Sequence, residues 1–136
     1  YRTGYQPSEA HPEPVTFLTV NAVAAPTADE AEARALPQLR TMARLRRGRP
    51  LRALETVEEA VAGLRADADA EEQQLIETVR GNWFIGTGAS VASDLSAFAA
   101  RYGVDEVMIS PVAGAYADEP LDAPAGPLQT LEQLAR

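Results

Sequence analysis

The sequence predicts an α/β fold with about three parallel strands and covering helices. Two observations support this prediction. Residues 15–25 form a run that is apolar almost throughout and rich in β-branched side chains, as in strands buried on both faces of a parallel sheet. Residues 83–110 then follow the order strand, helix, strand, which gives two parallel strands joined by a right-handed crossover.

The first predicted helix follows the strand at residues 15–25. Thr27, with Glu30 three residues later, predicts a capping box at its start. Pro37 lies inside the helical pattern and predicts a kink or a break near Leu36. Apolar side chains recur at helical spacing along this segment: Ala31, Ala35, Leu39, Met42 and Leu45.

The remaining elements are predicted from apolar spacing and from glycine and proline positions. Two amphipathic helices are expected around residues 54–64 and 75–79. A short strand at residues 83–85 leads into a helix over residues 90–102, and the last strand covers residues 106–110. The three strands cannot close a sheet, so either a second copy of the chain or further strands must cover its edges.

Composition narrows the classes of function. The chain has 136 residues, 46% of them hydrophobic and 24% charged, with a net charge of -8 and a pI near 4.6. Such a surface repels phosphates, so we expect neither nucleic acid nor an anionic membrane as a partner. Without cysteine and with His11 as the single histidine, a metal site or a Ser-His-Asp triad is not expected.

No apolar run approaches the roughly 18 residues of a membrane span, so we expect a cytoplasmic parent protein. The chain begins with Tyr1 and not with methionine, which we interpret as a sign of an excised piece.

Three stretches of the chain resemble the bacterial-luciferase-like family of flavin-dependent monooxygenases. They are PSEAHPEPVTFLTVNAVAAPTADEAEA, RLRRGRP and NWFIGTGASVASDLSAFAARYGVDEVMIS. The resemblance implies the carboxyl-terminal portion of a (β/α)8 TIM-type barrel, a fold that needs about 250 residues. It divides the chain into an upstream loop (residues 1–14), a partial barrel (residues 15–112) with a helical insertion (residues 27–81), and a Pro-rich tail with a short helix (residues 113–136).

The same resemblance implies a function for the parent enzyme. Such enzymes use reduced flavin, FMN, or in some relatives F420, with molecular oxygen to oxidise an organic substrate. This chain by itself is then expected to be an inactive fragment, completed by the missing part of the barrel or by a second copy in a homo-oligomer. The alternatives are a non-catalytic half-barrel interaction module or partner subunit, and an unrelated small α/β domain with antiparallel strands.

The candidate cofactor-binding residues lie in the turn that follows the strand at residues 83–85. Gly86, Thr87, Gly88 and Ser90 could let the backbone approach a flavin phosphate at the start of a helix. The other interpretation is a tight turn with Ser90 as the N-cap.

Two further polar residues are candidates for the substrate pocket. Asn21 could contact flavin or substrate, or be a buried amide bonded to the neighbouring backbone. Ser110 could line the pocket or simply begin a loop.

A basic cluster stands out on this acidic chain. Its members are Arg40, Arg44, Arg46, Arg47, Arg49 and Arg52. It could bind a flavin phosphate, a reductase or an acidic patch of another subunit, but a solvated run is the more common arrangement. The carboxylates of residues 67–77 are interpreted as a wet helix face, and Trp83 as a core residue.

Overall fold

The sheet consists of three parallel strands, β1 (Phe17–Ala25), β2 (Phe84–Thr87) and β3 (Glu106–Pro111). It is seen in a computed structural model that describes residues 2–120 and 122–136, so that Tyr1 and Leu121 lie outside the described residues. The predicted α/β class, with three parallel strands and covering helices consistent with part of a barrel, is confirmed. Antiparallel pairing, the expected mark of an unrelated small domain, is absent from this sheet.

Five α-helices accompany the strands in the described residues. They are α1 (Ala28–Arg46), α2 (Val57–Ala66), α3 (Ala70–Arg80), α4 (Gly88–Tyr102) and α5 (Ala125–Leu134), and a 3-10 turn spans Arg2–Gly4. Gly103 ends α4 in the left-handed conformation, with φ of 61°, which glycine adopts at little cost.

The cap of α1 differs in part from the prediction. Thr27 accepts a hydrogen bond from the Glu30 amide, as predicted, but the Glu30 carboxylate bonds Arg34 at 3.2 Å and does not complete a capping box. The complete box lies at α2, where Thr56 and Glu59 bond each other's backbone amides.

The predicted break near Leu36 does not occur, because α1 is continuous through Pro37. Pro37 is buried, and Gly114 lies so close that an added Cβ would come within 2.7 Å of the proline ring. This packing offsets the hydrogen bond that proline removes from the helix.

The strand order is β2-β1-β3, with β1 in the centre. The connection from β1 to β2 and the connection from β2 to β3 therefore run in opposite directions across the sheet. Right-handed crossovers in opposite directions place their helices on opposite faces. In a closed barrel, strands that follow one another along the chain are neighbours, so the barrel expectation implied the order β1-β2-β3. The sequence therefore did not predict β1 in the centre.

Two apolar clusters result from covering both faces. On one face, Val23 and Ala25 of β1 pack against α1 and α3, and Trp83 joins this cluster as predicted. On the other face, Ala22 and Ala24 pack against α4 and α5. The alternation along β1 explains why this strand is apolar at nearly every position.

The amino-terminal half of the sheet is left uncovered on the face that carries α1. Phe17 is 57% exposed and Met108 is 54% exposed. The register pairs Thr19 with Met108, so Phe17, Thr19 and Met108 share this face. We call these three residues the open sheet face.

The segment expected to be a Pro-rich tail is packed onto the sheet. Ala113 and Gly126 are buried against each other, and an added Cβ on Gly126 would come within 2.9 Å of the Ala113 carbonyl. Thr130 of α5 is fully buried and accepts a hydrogen bond from the Ala24 amide at 3.3 Å. The pairing of β1 with β3 ends at Ala22, so β3 offers no acceptor for the Ala24 amide. The Thr130 hydroxyl is the acceptor instead.

The loop before β1 is also held in place. Arg2 bonds Thr16, the Gly103 carbonyl and Asp105 at 2.8–3.0 Å. Asp105 also accepts hydrogen bonds from the amide and the hydroxyl of Thr16, and these bonds, with Arg2, lower the pKa of Asp105. This contact anchors residues 2–16 to the end of α4.

Candidate functional site

The carboxyl ends of the three strands meet at one edge of the sheet, because all strands run in the same direction. Between β1 and β3 the strand order reverses, and the helices that follow these strands, α1 and α5, cover opposite faces. Parallel α/β sheets bind ligands in the crevice that such a reversal creates. The space beyond the carboxyl ends of β1 and β3 is therefore a candidate binding site.

The Gly86–Ser90 turn lies at this edge but is filled by the chain itself. Thr87, not Ser90, is the N-cap of α4: its hydroxyl accepts a hydrogen bond from the Ser90 amide. Sequence reasoning chose the wrong cap because both residues are good capping types. A Cβ on Gly86 would come within 2.5 Å of the Ser90 hydroxyl, and one on Gly88 would overlap the Gln133 carbonyl of α5.

These contacts test the fit of the turn to a flavin phosphate. Glycine is needed for packing at Gly88, where α5 covers the backbone, whereas a Cβ on Gly86 would meet only the side chain of Ser90 and that of Val91 at ordinary contact distance. An open cradle of amides, which a phosphate requires, is not formed there. The geometry fits the tight-turn interpretation.

Asn21 and Ser110 are brought together by the sheet. They are register partners on neighbouring strands, and both are partly buried. Their side chains form no hydrogen bond with any residue that the structure describes. The expectation that the Asn21 amide would be bonded to neighbouring backbone is therefore wrong, and both side chains remain available to water or a ligand.

The structure separates this pair from the glycine turn. Gly86 is level with Ala24 of β1, three residues after Asn21, or about 10 Å along the strand. Asn21 and Ser110 lie on the same side of the sheet as the residues of the open sheet face. Gly86 lies on the opposite side, with Ala24. The six predicted site residues do not form one pocket within this chain.

A polar cluster that sequence reasoning missed lies in the crevice beyond β1 and β3. Arg34 of α1 is 5% exposed. Its guanidinium forms two hydrogen bonds with Glu119, at 2.7 and 3.1 Å, and one with the Gly114 carbonyl at 3.0 Å. It also lies over the Tyr116 ring, 4.6 Å from the centroid.

This cluster is held in one charge state. Hydrogen bonding from Arg34 lowers the pKa of Glu119, and Glu119 in turn raises the pKa of Arg34. Burial raises the pKa of the Tyr116 hydroxyl. An ionised carboxylate bonded at both oxygens by a guanidinium is a poor general base, so Glu119 is suited to hold Arg34 in place and not to take up a proton.

Gln129 of α5 completes the cluster. Its amide nitrogen donates to Glu30 at 3.0 Å, and its side-chain oxygen is buried without a partner among the described residues. Only the Glu30–Arg34 pair had a signal in the sequence, the helical spacing of four. Tyr116, Glu119 and Gln129 lie more than 80 residues away from Arg34 in the sequence and had none.

The expectation that the basic cluster is a solvated run is wrong for three of its six members, Arg40, Arg44 and Arg47, whereas Arg46, Arg49 and Arg52 are exposed. Arg40 is fully buried, and its guanidinium bonds Glu55 at 3.0 Å and Glu72 at 3.3 Å. Arg44 bonds Glu55, and Arg47 bonds Asp69 through both terminal nitrogens of its guanidinium. These three arginines of α1 and its C-cap meet carboxylates of α3 and of the segments before α2 and α3, so half of the basic cluster is used inside the fold.

The carboxylates of residues 67–77 are likewise not all wet. The Glu72 side chain is 2% exposed and lies within 4 Å of Arg40, Arg44 and Arg47. Asp69 is the N-cap of α3 and accepts a hydrogen bond from the Glu72 amide, which, with Arg47, lowers the pKa of Asp69.

The described residues offer neither a grouped set of metal ligands nor a helix fit for a membrane. Within residues 2–120 and 122–136, no three His, Cys, Asp or Glu side chains are grouped so that they could hold a metal ion. No helix in these ranges has the length and apolar character needed to cross a bilayer.

Comparison with known proteins gives a likeness of fold. No family model matches the sequence, and no curated protein matches it either. Among solved structures, the chain is similar to the crystal structure of apo-MsnO8, with a TM-score of 0.76 and 19% sequence identity. The likeness covers 99% of this chain and 38% of that chain, so this chain spans well under half the length of the protein that it resembles in fold.

Proposed function

We propose that this chain is the carboxyl-terminal part of a luciferase-like flavin-dependent monooxygenase and is inactive alone. The sequence resemblance in the three quoted stretches is what points to this family. The fold likeness, which takes in nearly all of this chain but only 38% of a longer one, supports the part of the proposal that makes this chain a portion of a larger fold. The sheet also has an open face and two edge strands, as expected of a portion of a larger sheet that further strands would complete.

The bound flavin, FMN or F420, would supply the oxygen chemistry in the complete enzyme. Asn21 and Ser110 are the residues of this chain that fit such a group, because they are polar, adjacent and unbonded within the described chain. Their role would be to orient the flavin ring or the substrate by hydrogen bonding. The Gly86–Ser90 turn does not fit a phosphate, so we assign the phosphate contact to other strands.

The experiment is a binding measurement on the polypeptide encoded by the complete gene. We expect it to purify with yellow flavin, or to bind FMN with a quenched flavin fluorescence. Asn21→Ala should weaken FMN binding or raise the KM for substrate, whereas Asn82→Ala, at an exposed position after α3, is the matched control. A complete protein without affinity for FMN, FAD or F420 would overturn the proposal.

A second candidate is a non-catalytic half-barrel module that pairs with itself or serves as a partner subunit. The open sheet face favours it, since Phe17 and Met108 are each more than half exposed and exposed apolar patches mark interaction surfaces. Size-exclusion chromatography with light scattering distinguishes the candidates. A stable monomer with a cooperative melt would contradict the self-pairing module.

A further inference from the structure

A cleft lies between the last turns of α1 and the loop of residues 49–55 that follows it. Its volume is about 270 Å³. The lining residues are Thr41, Arg44, Leu45, Arg49, Pro50, Leu51, Arg52, Ala53, Glu55 and Asp67. The cleft is remote from the crevice beyond β1 and β3. The first turns of α1 border that crevice, and the last turns of α1 border the cleft.

Two of the five charged residues that line the cleft pair with each other, and two cations and one acid are left over. Arg44 and Glu55 bond each other at 3.0 Å. Arg49 and Arg52 are exposed, and their guanidinium groups form neither a hydrogen bond nor an ion pair with any described residue. The Arg49 amide donates to the Arg44 carbonyl at 3.1 Å, and the Arg49 charge contributes to the lowered pKa of Asp69. Asp67 is the one lining acid that is likewise unpaired, so the cleft has a surplus of one positive charge on a chain whose net charge is -8.

The cleft also has an apolar wall. Leu45 is 45% exposed and Leu51 is 68% exposed, and both line the cleft beside the two arginines. A ligand that satisfies all of these groups needs one anionic end and one apolar end. The volume is near the small end of ligand pockets, about 300–1,000 Å³, which limits the apolar part to a few carbons.

We propose that this cleft binds a small organic carboxylate with a short apolar chain. The carboxylate lies between Arg49 and Arg52, and the chain covers Leu45 and Leu51. The inference is independent of the flavin proposal, because it uses no residue of the sheet and no flavin chemistry.

The experiment is a titration of the 136-residue chain with three probes of equal length: hexanoate, hexan-1-ol and hexylamine. Binding is followed by calorimetry and by amide shifts in ¹H–¹⁵N spectra. We expect hexanoate to bind best, to shift the amides of residues 45–55, and to bind more weakly at high salt. Equal binding of hexanoate and hexan-1-ol, tighter binding of hexylamine at Asp67, or no binding of hexanoate would each overturn the proposal.

Variants assign the effect to residues. Arg49→Gln and Arg52→Gln should each weaken hexanoate binding by about two- to fivefold, the range of an exposed ion pair. Arg65→Gln is the matched control, since Arg65 is exposed and unpaired among the described residues but does not line the cleft. Equal weakening by the control would mean that hexanoate responds only to net charge. Amide spectra of each variant verify that the fold is retained.

Discussion

The buried guanidinium of Arg40 provides the sharpest test of how α1, α2 and α3 are held together. Arg40 is fully buried, and it bonds Glu72, Glu55 and the Ala60 carbonyl. Replacing it by methionine keeps much of the volume and removes the charge. The Glu72 carboxylate, whose side chain is 2% exposed, then loses its closest cation.

The expected loss of stability follows from the partners left behind. Breaking a buried ion pair by removing one partner costs about 3–5 kcal/mol, and an unpaired carbonyl costs about 1–3 kcal/mol more. Arg44 at 3.6 Å and Arg47 at 3.9 Å still face Glu72, which favours the lower end. We expect Arg40→Met to lower the free energy of unfolding by about 4–5 kcal/mol, and the Tm by roughly 10–20 °C for a chain of this size.

A double-mutant cycle separates the ion pair from ordinary packing. Replacing both partners of a buried pair by apolar residues is often close to neutral, so Arg40→Met with Glu72→Leu should recover at least half of the loss. The assay is urea unfolding at pH 7 followed by circular dichroism, with Arg65→Met as the exposed control. A single variant within about 1 kcal/mol of the wild type, or additive losses in the double variant, would refute the reasoning.

Three further predictions follow from individual contacts. In most helices Gly→Ala raises the stability by up to about 1 kcal/mol, but Gly63→Ala should lower the free energy of unfolding because the new Cβ overlaps the Arg40 guanidinium. In the Arg40→Met background the same change should be tolerated. An equal loss of stability in both backgrounds would contradict this. Glu119→Gln should cost about 1–2 kcal/mol at pH 7, since it weakens the bond from Arg34 at a partly solvated site. Because that bond holds the pKa of Glu119 below its ordinary value of 4.5, the contribution is present above pH 4.5 and is lost as the pH falls through the lowered pKa. The stabilities of the two proteins should therefore converge in acid, and a difference that stays constant with pH would argue against this reasoning. Thr130→Val should cost about 1–3 kcal/mol by leaving a buried strand amide unpaired, and Thr130→Ser, which keeps the hydroxyl, should cost less in the same melts.

What the sequence determined is what depends on near neighbours along the chain. The apolar run of β1 predicted a strand covered on both faces, and helical spacing predicted α1 to α4 within a few residues. The Gly103 cap and the Thr27 cap also follow from residue type and local backbone geometry. Parallel pairing followed because a strand, helix, strand unit permits little else.

Only the tertiary structure decided which distant residues meet. The sequence pattern is the same whether β3 pairs with β2 or with β1, yet the choice of β1 puts helices on both faces and creates the crevice closed by Arg34 and Glu119. The arginine run was interpreted as solvated because charged residues are usually exposed. Carboxylates from α3 and from the loop before α2 made burial of Arg40 possible, and their approach depends on packing between helices, which no local pattern records.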